Sequence, residues 1–148
     1  MIHLWRSISG KIAVVLCALL LAACSTPDVS LYAKNEPKFE LQQFFSGSLT
    51  AHGILKNRSG EVIRYFNATL EGSWDKGVGT LAEVFVFDDG EVQKRTWIMT
   101  PDAQGHYTAT ANDVIGKGDI NLAGNALFMK YVLRVPYDGD LLDVNVDD

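Results

Sequence analysis

The sequence is poor in the residues that most often announce chemistry. Of its 148 residues, two are cysteine, three histidine and four proline. Two cysteines exclude a disulfide-stapled miniature fold and a four-cysteine zinc site. Basic side chains are outnumbered, 13 against 18 acidic, for a net charge of −5. A general nucleic-acid surface needs clustered Lys and Arg, and that balance argues against one. The chain contains no Gly-x-Ser-x-Gly elbow, no Walker loop and no dinucleotide fingerprint. No nucleophile can be placed beside an activating base, and no carboxylate pair can be assigned to acid–base work. Nothing in the sequence supports an enzyme. What is abundant is apolar surface, at 47% of residues, with 10% aromatic. Wholesale disorder is therefore excluded, and the length suits one domain with a real core.

The first 24 residues read as an address. Met1 to Lys11 carries Arg6 and Lys11 and no acidic residue, and Ile12 to Ala23 is continuously apolar. Those twelve residues span only ~18 Å as a helix, against a bilayer core of ~30 Å. The segment is expected to be a secretory signal peptide rather than a transmembrane anchor, oriented by its positive flank. It ends Leu21-Ala22-Ala23-Cys24, which resembles the lipobox of bacterial lipoproteins; the alternative is a plain signal peptide with an incidental cysteine. In the lipoprotein class the peptide is cut before the cysteine. The thiol then receives a diacylglycerol and the new amine an acyl chain such as palmitate. The resemblance thus implies a covalent lipid on Cys24 and no other cofactor. Ser25 rather than Asp after the cysteine implies the outer membrane, on its periplasmic face. Cleavage would remove Arg6 and Lys11 from the 13 basic side chains and none of the 18 acidic ones, so the net charge moves to −7. An acidic body should stand off an anionic leaflet on its tether. Cys17 is discarded with the apolar run, so the mature chain has one cysteine and no disulfide.

Ser25 to Lys38 is polar and holds Pro27 and Pro37, as a linker does. The expected organisation is residues 1–23 signal peptide, 24–43 lipidated cysteine and tether, and 44–148 one domain. Phe39–Phe45 is expected to form a short helical turn or an arm that plugs the fold. From Ser48 onward the chain alternates between apolar and polar, and turn residues interrupt it about every ten positions. Eight short strands result: 48–55, 61–73, 79–87, 91–99, 106–111, 118–122, 126–135 and 141–146. Connections this short join antiparallel neighbours. The fold class is therefore all-β, an antiparallel meander closing into a lipocalin-like up-and-down barrel. A two-sheet β-sandwich is the second choice. Eight strands enclose an interior that is either filled or able to hold one small ligand.

The loop Asp88-Asp89-Gly90 fixes a register. Three loop residues ending in glycine suit a type I turn followed by a left-handed glycine and a bulge. Phe87 then pairs with Glu91, Phe85 with Gln93, Glu83 with Arg95, and Leu81 with Trp97. Parity places Arg64, Glu83 and Arg95 on interior faces, where charges are rare unless paired. Two readings follow. In one, these residues form a polar patch that receives a ligand carboxylate or phosphate through an arginine fork. Trp74, Phe85, Trp97, Met129 and Tyr131 then line the apolar part. In the other, Glu83 and Arg95 are a structural cross-strand pair. His52 and His106 fall on outward parity without metal-ligand spacing. Asp138, Asp140, Asp143, Asp147 and Asp148 lack the register of a calcium loop and read as a solvated end.

The body also carries a series of short motifs: Phe44-Phe45-x-Gly47-x-Leu49, Arg58-Ser59-Gly60-x-Val62, Gly72-x-Trp74, Gly79-Thr80-Leu81-x-Glu83-x-Phe85, Asp89-Gly90-Glu91, Arg95-x-Trp97, Tyr107-x-Ala109-x-Ala111, Asp113-Val114-x-Gly116, Gly124-Asn125-Ala126-Leu127 and Tyr131-x-Leu133-x-Val135-Pro136. In this order they resemble the bacterial lipoprotein family catalogued as domain of unknown function 3833, over about residues 44–148. The resemblance implies no assigned reaction. It does imply an aromatic-rich segment and further strands beyond Asp147-Asp148, and a copy shortened at that point would leave two open sheet edges. The functional expectation is a lipid-anchored envelope protein that holds a small amphipathic or lipid-like molecule inside the barrel, with Arg64 and Arg95 at its head group. The alternatives are a filled barrel that binds another protein, and an enzyme of unknown type.

Overall fold

The computed structural model describes residues 27–57, 59–137 and 139–148. Cys17, Cys24 and the apolar run lie outside the described residues, as do Arg58 and Asp138. Eight strands follow one another: β1 (Gly47–Lys56), β2 (Val62–Asp75), β3 (Val78–Phe87), β4 (Val92–Pro101), β5 (Tyr107–Thr110), β6 (Val114–Ala123), β7 (Ala126–Tyr137) and β8 (Asp140–Asp147). They form one antiparallel sheet in sequence order, as a period-two chain with hairpin loops must. The sheet curls into a half-barrel. Among the described residues no ladder joins β1 to β8, so the curl does not close.

The register follows the alternation. Leu81 lies opposite Trp97, Glu83 opposite Arg95 and Phe85 opposite Gln93. The hairpin between β3 and β4 is closed by the Phe87 N–H donating to Glu91 O at 3.0 Å, and Gly90 takes φ +86°. A side chain at that angle would crowd its own carbonyl, which is why the loop ends in glycine. The largest boundary difference is β6, which begins at Val114 rather than Gly118. Its pairing with β7 shifts between Ile115 and Asp119. Gly116-Lys117-Gly118 carries no apolar side chain across that irregularity, so the alternation is silent there.

The strand β5 has only four residues. Beyond Thr110 the side chain of Asn112 takes over its role against β4. Asn112 accepts from the Thr96 N–H at 3.1 Å and donates to Lys94 O at 3.4 Å.

The interior is filled at one end by the segment that precedes β1. Residues Leu41–Phe44 form a short helix, α1, and Leu41 is buried in the core with Leu81, Trp97, Met99, Ala109, Ile120 and Tyr131. Phe39 and Phe45 pack against the same cluster. The arm thus plugs the barrel end, and the core begins at Phe39. Earlier still, the turn Val29–Tyr32 packs on β6 and β7, with the Tyr32 and Phe128 rings 5.7 Å apart. Part of the polar stretch that resembles a tether by composition is therefore laid against the sheet. Among the described residues, three hydrogen bonds pin the arm to the sheet: Phe39 N–H to Gly124 O at 2.7 Å, Trp74 Nε1 to Phe45 O at 2.9 Å, and Gln42 Nε2 to the Tyr107 hydroxyl at 2.9 Å. It passes so close to β2 that a Cβ on Gly72 would collide with the Phe45 carbonyl.

Candidate functional site

Above the plug the same inward positions are left uncovered. A cavity of about 920 Å³ opens there. That lies in the range of small-molecule sites, roughly 300–1,000 Å³. Its floor is the edge-to-face pair of Trp97 and Tyr131, 5.1 Å between ring centroids at 82°. One wall is aromatic: Phe66 stands edge-on to Phe85 at 5.4 Å and lies 5.9 Å from Phe87. The opposite wall is Leu127, Met129, Leu133 and Val135 of β7 with Val146 of β8. Leu55, Ile63 and Pro136 form the rim.

Seven of the eight residues expected to line a pocket do so: Arg64, Glu83, Phe85, Arg95, Trp97, Met129 and Tyr131. Trp74 does not. It has the right parity but lies at the plugged end, where its ring covers Gly79 and meets Tyr107 edge-on at 5.9 Å. Parity reports the face of a strand, not the height at which the arm crosses it.

Both guanidinium groups are already engaged. Arg95 grips Asp113 through Nε at 2.9 and 3.0 Å and Nη2 at 2.8 Å. Only its Nη1 turns to Glu83, 3.9 Å from Oε2. The cross-strand neighbour is therefore the weaker partner, and Asp113, from the loop after β5, is the stronger one. Burial works against the charge on Arg95, and the Asp113 carboxylate, with Tyr131 and Glu83 behind it, more than offsets that and raises the guanidinium above its ordinary value. At the rim Arg64 lies 3.8 Å over the Phe87 ring and binds Asp89 and Glu91, each at 2.8 Å. The Glu91 backbone N–H and then Arg64 hold the Asp89 carboxyl below its usual range. An arginine fork waiting for an anion is thus absent at both positions.

Glu83 is the exception. It is 8% exposed, and its Oε2 has no hydrogen-bond partner among the described residues. Burial pushes its carboxyl up, against the lowering pull of the Arg95 guanidinium and the Trp97 indole. Below it the Tyr131 hydroxyl donates to Asp148 Oδ2 at 2.8 Å. Burial and then that carboxylate push the phenol well above its usual value, so it remains a donor.

The acidic end is part of the sheet. Asp140, Asp143 and Asp147 lie on β8. Arg134 binds Asp143 at 2.8 Å, and Lys130 lies 3.5 Å from Asp147. His52 and His106 are exposed, beside Asn67 and Asp102. Among the described residues no group of three His, Cys, Asp or Glu side chains could hold a metal ion, and no helix is long and apolar enough to cross a membrane.

Fold and cavity together define the class, an antiparallel β half-barrel plugged at one end, with an apolar interior open at the other. The chain belongs to the family described as Protein of unknown function (DUF3833), whose sequence model matches residues 18–148. No curated protein and no solved structure matches it.

Proposed function

We infer that the protein is a lipid-anchored envelope protein that holds a small amphipathic molecule in the half-barrel. The observation that carries this reading is the cavity of about 920 Å³, walled by aromatic and aliphatic side chains. Exposed apolar surface in a concave site gains from covering, at ~25 cal/mol per Å² removed from water. An apolar chain would lie between Phe66, Phe85 and Phe87 on one side and Met129, Leu133 and Val135 on the other. Its polar end would meet Glu83, Arg95 and Tyr131. Anchoring rests on the apolar run Ile12–Ala23 and the Cys24 that follows it; the family match begins at residue 18, inside that run, and includes Cys24. A lipid on Cys24 would place the cavity beside a membrane, on the periplasmic face of the outer membrane.

The test is mass spectrometry of protein extracted from cells. A lipid carried at near-stoichiometric occupancy is expected, and Arg95→Ala should lower it. The mature chain should begin at a diacylated Cys24, and Cys24→Ala should release it from the membrane fraction. Bare protein with no affinity for any fatty acid, glyceride or phospholipid would end the reading.

A second reading, an envelope protein that binds another protein, draws support from the outer edges of β1 and β8, which have no ladder partner among the described residues. An open edge is a template for an added strand. In-cell cross-linking that captures a partner through Asp140–Asp147, with the cavity empty, would favour it.

A further inference from the structure

We propose that the cavity selects amphiphiles whose polar end is uncharged and donates a hydrogen bond, such as a hydroxyl or amide, and discriminates against carboxylates and phosphates. This rests on the cavity being a ligand site. Three observations carry it. First, Glu83 lines the cavity, and its buried Oε2 accepts from no group among the described residues. At 3.9 Å the nearest Arg95 nitrogen is beyond hydrogen-bond reach. A buried acceptor left without a donor carries its full desolvation cost, so a ligand that brings the donor relieves it. Second, an anionic head would need a guanidinium with both nitrogens of a fork free: the Nε/Nη2 edge of Arg95 is closed on Asp113, and Arg64 Nη2 is already shared between Asp89 and Glu91. Third, the local charge opposes an anion. Around the two guanidiniums stand the carboxyls of Glu83, Asp89, Glu91 and Asp113, and Asp148 lines the same cavity. An incoming carboxylate would lie beside Glu83 with Coulomb repulsion in a poorly screened site.

The other orphaned polar atom, Arg64 Nε, is packed at the rim where Arg64 stacks on Phe87. Its guanidinium already serves two carboxylates, Asp89 and Glu91.

Competition between two ligands of equal chain length tests the idea. Full-length protein in dimethylamine-oxide micelles, whose head group donates no hydrogen bond at this pH, is given equimolar monododecanoylglycerol and dodecanoate at about pH 8, where ordinary carboxyls are ionised. Native mass spectrometry counts the adducts. The expected result is about tenfold more glyceride than fatty acid bound, the scale of one hydrogen bond to a charged group. Glu83→Gln keeps the shape and removes the charge, and should cut that ratio to about threefold or less. The wild-type competition stands by itself if the variant folds poorly. Dodecanoate binding as well as the glyceride would overturn the selectivity and leave the cavity reading intact. An unchanged ratio in a folded Glu83→Gln would overturn Glu83 as the selector. Neither ligand binding would remove the cavity reading and the selectivity with it.

Discussion

The two ends of the half-barrel are made from the same strands and the same alternation, yet one is packed and the other is open. At the packed end Leu81, Met99, Ala109 and Ile120 close around Leu41. At the open end Phe66, Phe85, Leu133 and Val135 face one another across a cavity. The strands supply inward apolar side chains at both ends, so the sheet alone does not decide which end fills. The seven residues Phe39–Phe45 do. They reach into one end and stop short of the other. The electrostatics divide in the same way. Arg95 and its Asp113 partner are both sheltered, with side chains 14% and 27% exposed, whereas Arg64 pairs with carboxylates that stand half in water, Asp89 at 54% and Glu91 at 49%.

The contrast can be broken most directly by the same truncation at each end. Leu41→Ala should cost roughly 2–5 kcal/mol, because it removes a buried side chain and leaves a hole under α1. Leu55→Ala, at the rim and 41% exposed, should change stability by less than ~0.5 kcal/mol. Urea unfolding midpoints read both, and equal losses would erase the distinction. Asp113→Ala should cost about 2 kcal/mol, the worth of hydrogen bonds to a sheltered charge, with little response to salt. Asp89→Ala should leave the midpoint unchanged within error at moderate salt. Gly72→Ala should cost about 1–3 kcal/mol by forcing the arm off β2, and a far-ultraviolet spectrum that stays β-like would show the loss to be local to the plug.

The smallest effect concerns pH. Burial raises the Glu83 carboxyl above its ordinary value of 4.5. The folded protein therefore holds that proton more tightly than the unfolded chain. The stability this contributes is fully present below the ordinary value and is lost as pH rises through the raised one. Glu83→Gln abolishes that dependence, so its stability relative to the parent should grow from acid toward neutral pH. A constant difference across that range would refute the assignment.

Much of this architecture was legible in the residues. Alternation along Glu61–Ser73 and Ala126–Val135 revealed the strands, and one glycine-ended loop placed Glu83 opposite Arg95. Inward parity found most of the cavity wall for the same reason: a strand has only two faces. What stayed hidden depends on contacts between distant segments. Asp113 sits in a loop with no period of its own and reaches Arg95 only because β5 ends early. Its motif, Asp113-Val114-x-Gly116, was visible without its partner. Trp74 was misplaced in height by the arm, whose path depends on docking against Gly72 and Gly124 rather than on any repeat.

The brevity of β5 has a mechanical consequence. Tyr107–Thr110 is held by four residue pairs on one side and three on the other, the scantiest pairing in the sheet. It divides the molecule into two leaves, β1–β4 and β6–β8, stitched across the gap by Asn112 and by Asp113 to Arg95. Thermal breathing should concentrate along that seam, and amides of β5 should exchange with solvent sooner than those of β3. A swing of the leaves there would widen the interior from the side, giving a bulky guest an entrance that bypasses the rim.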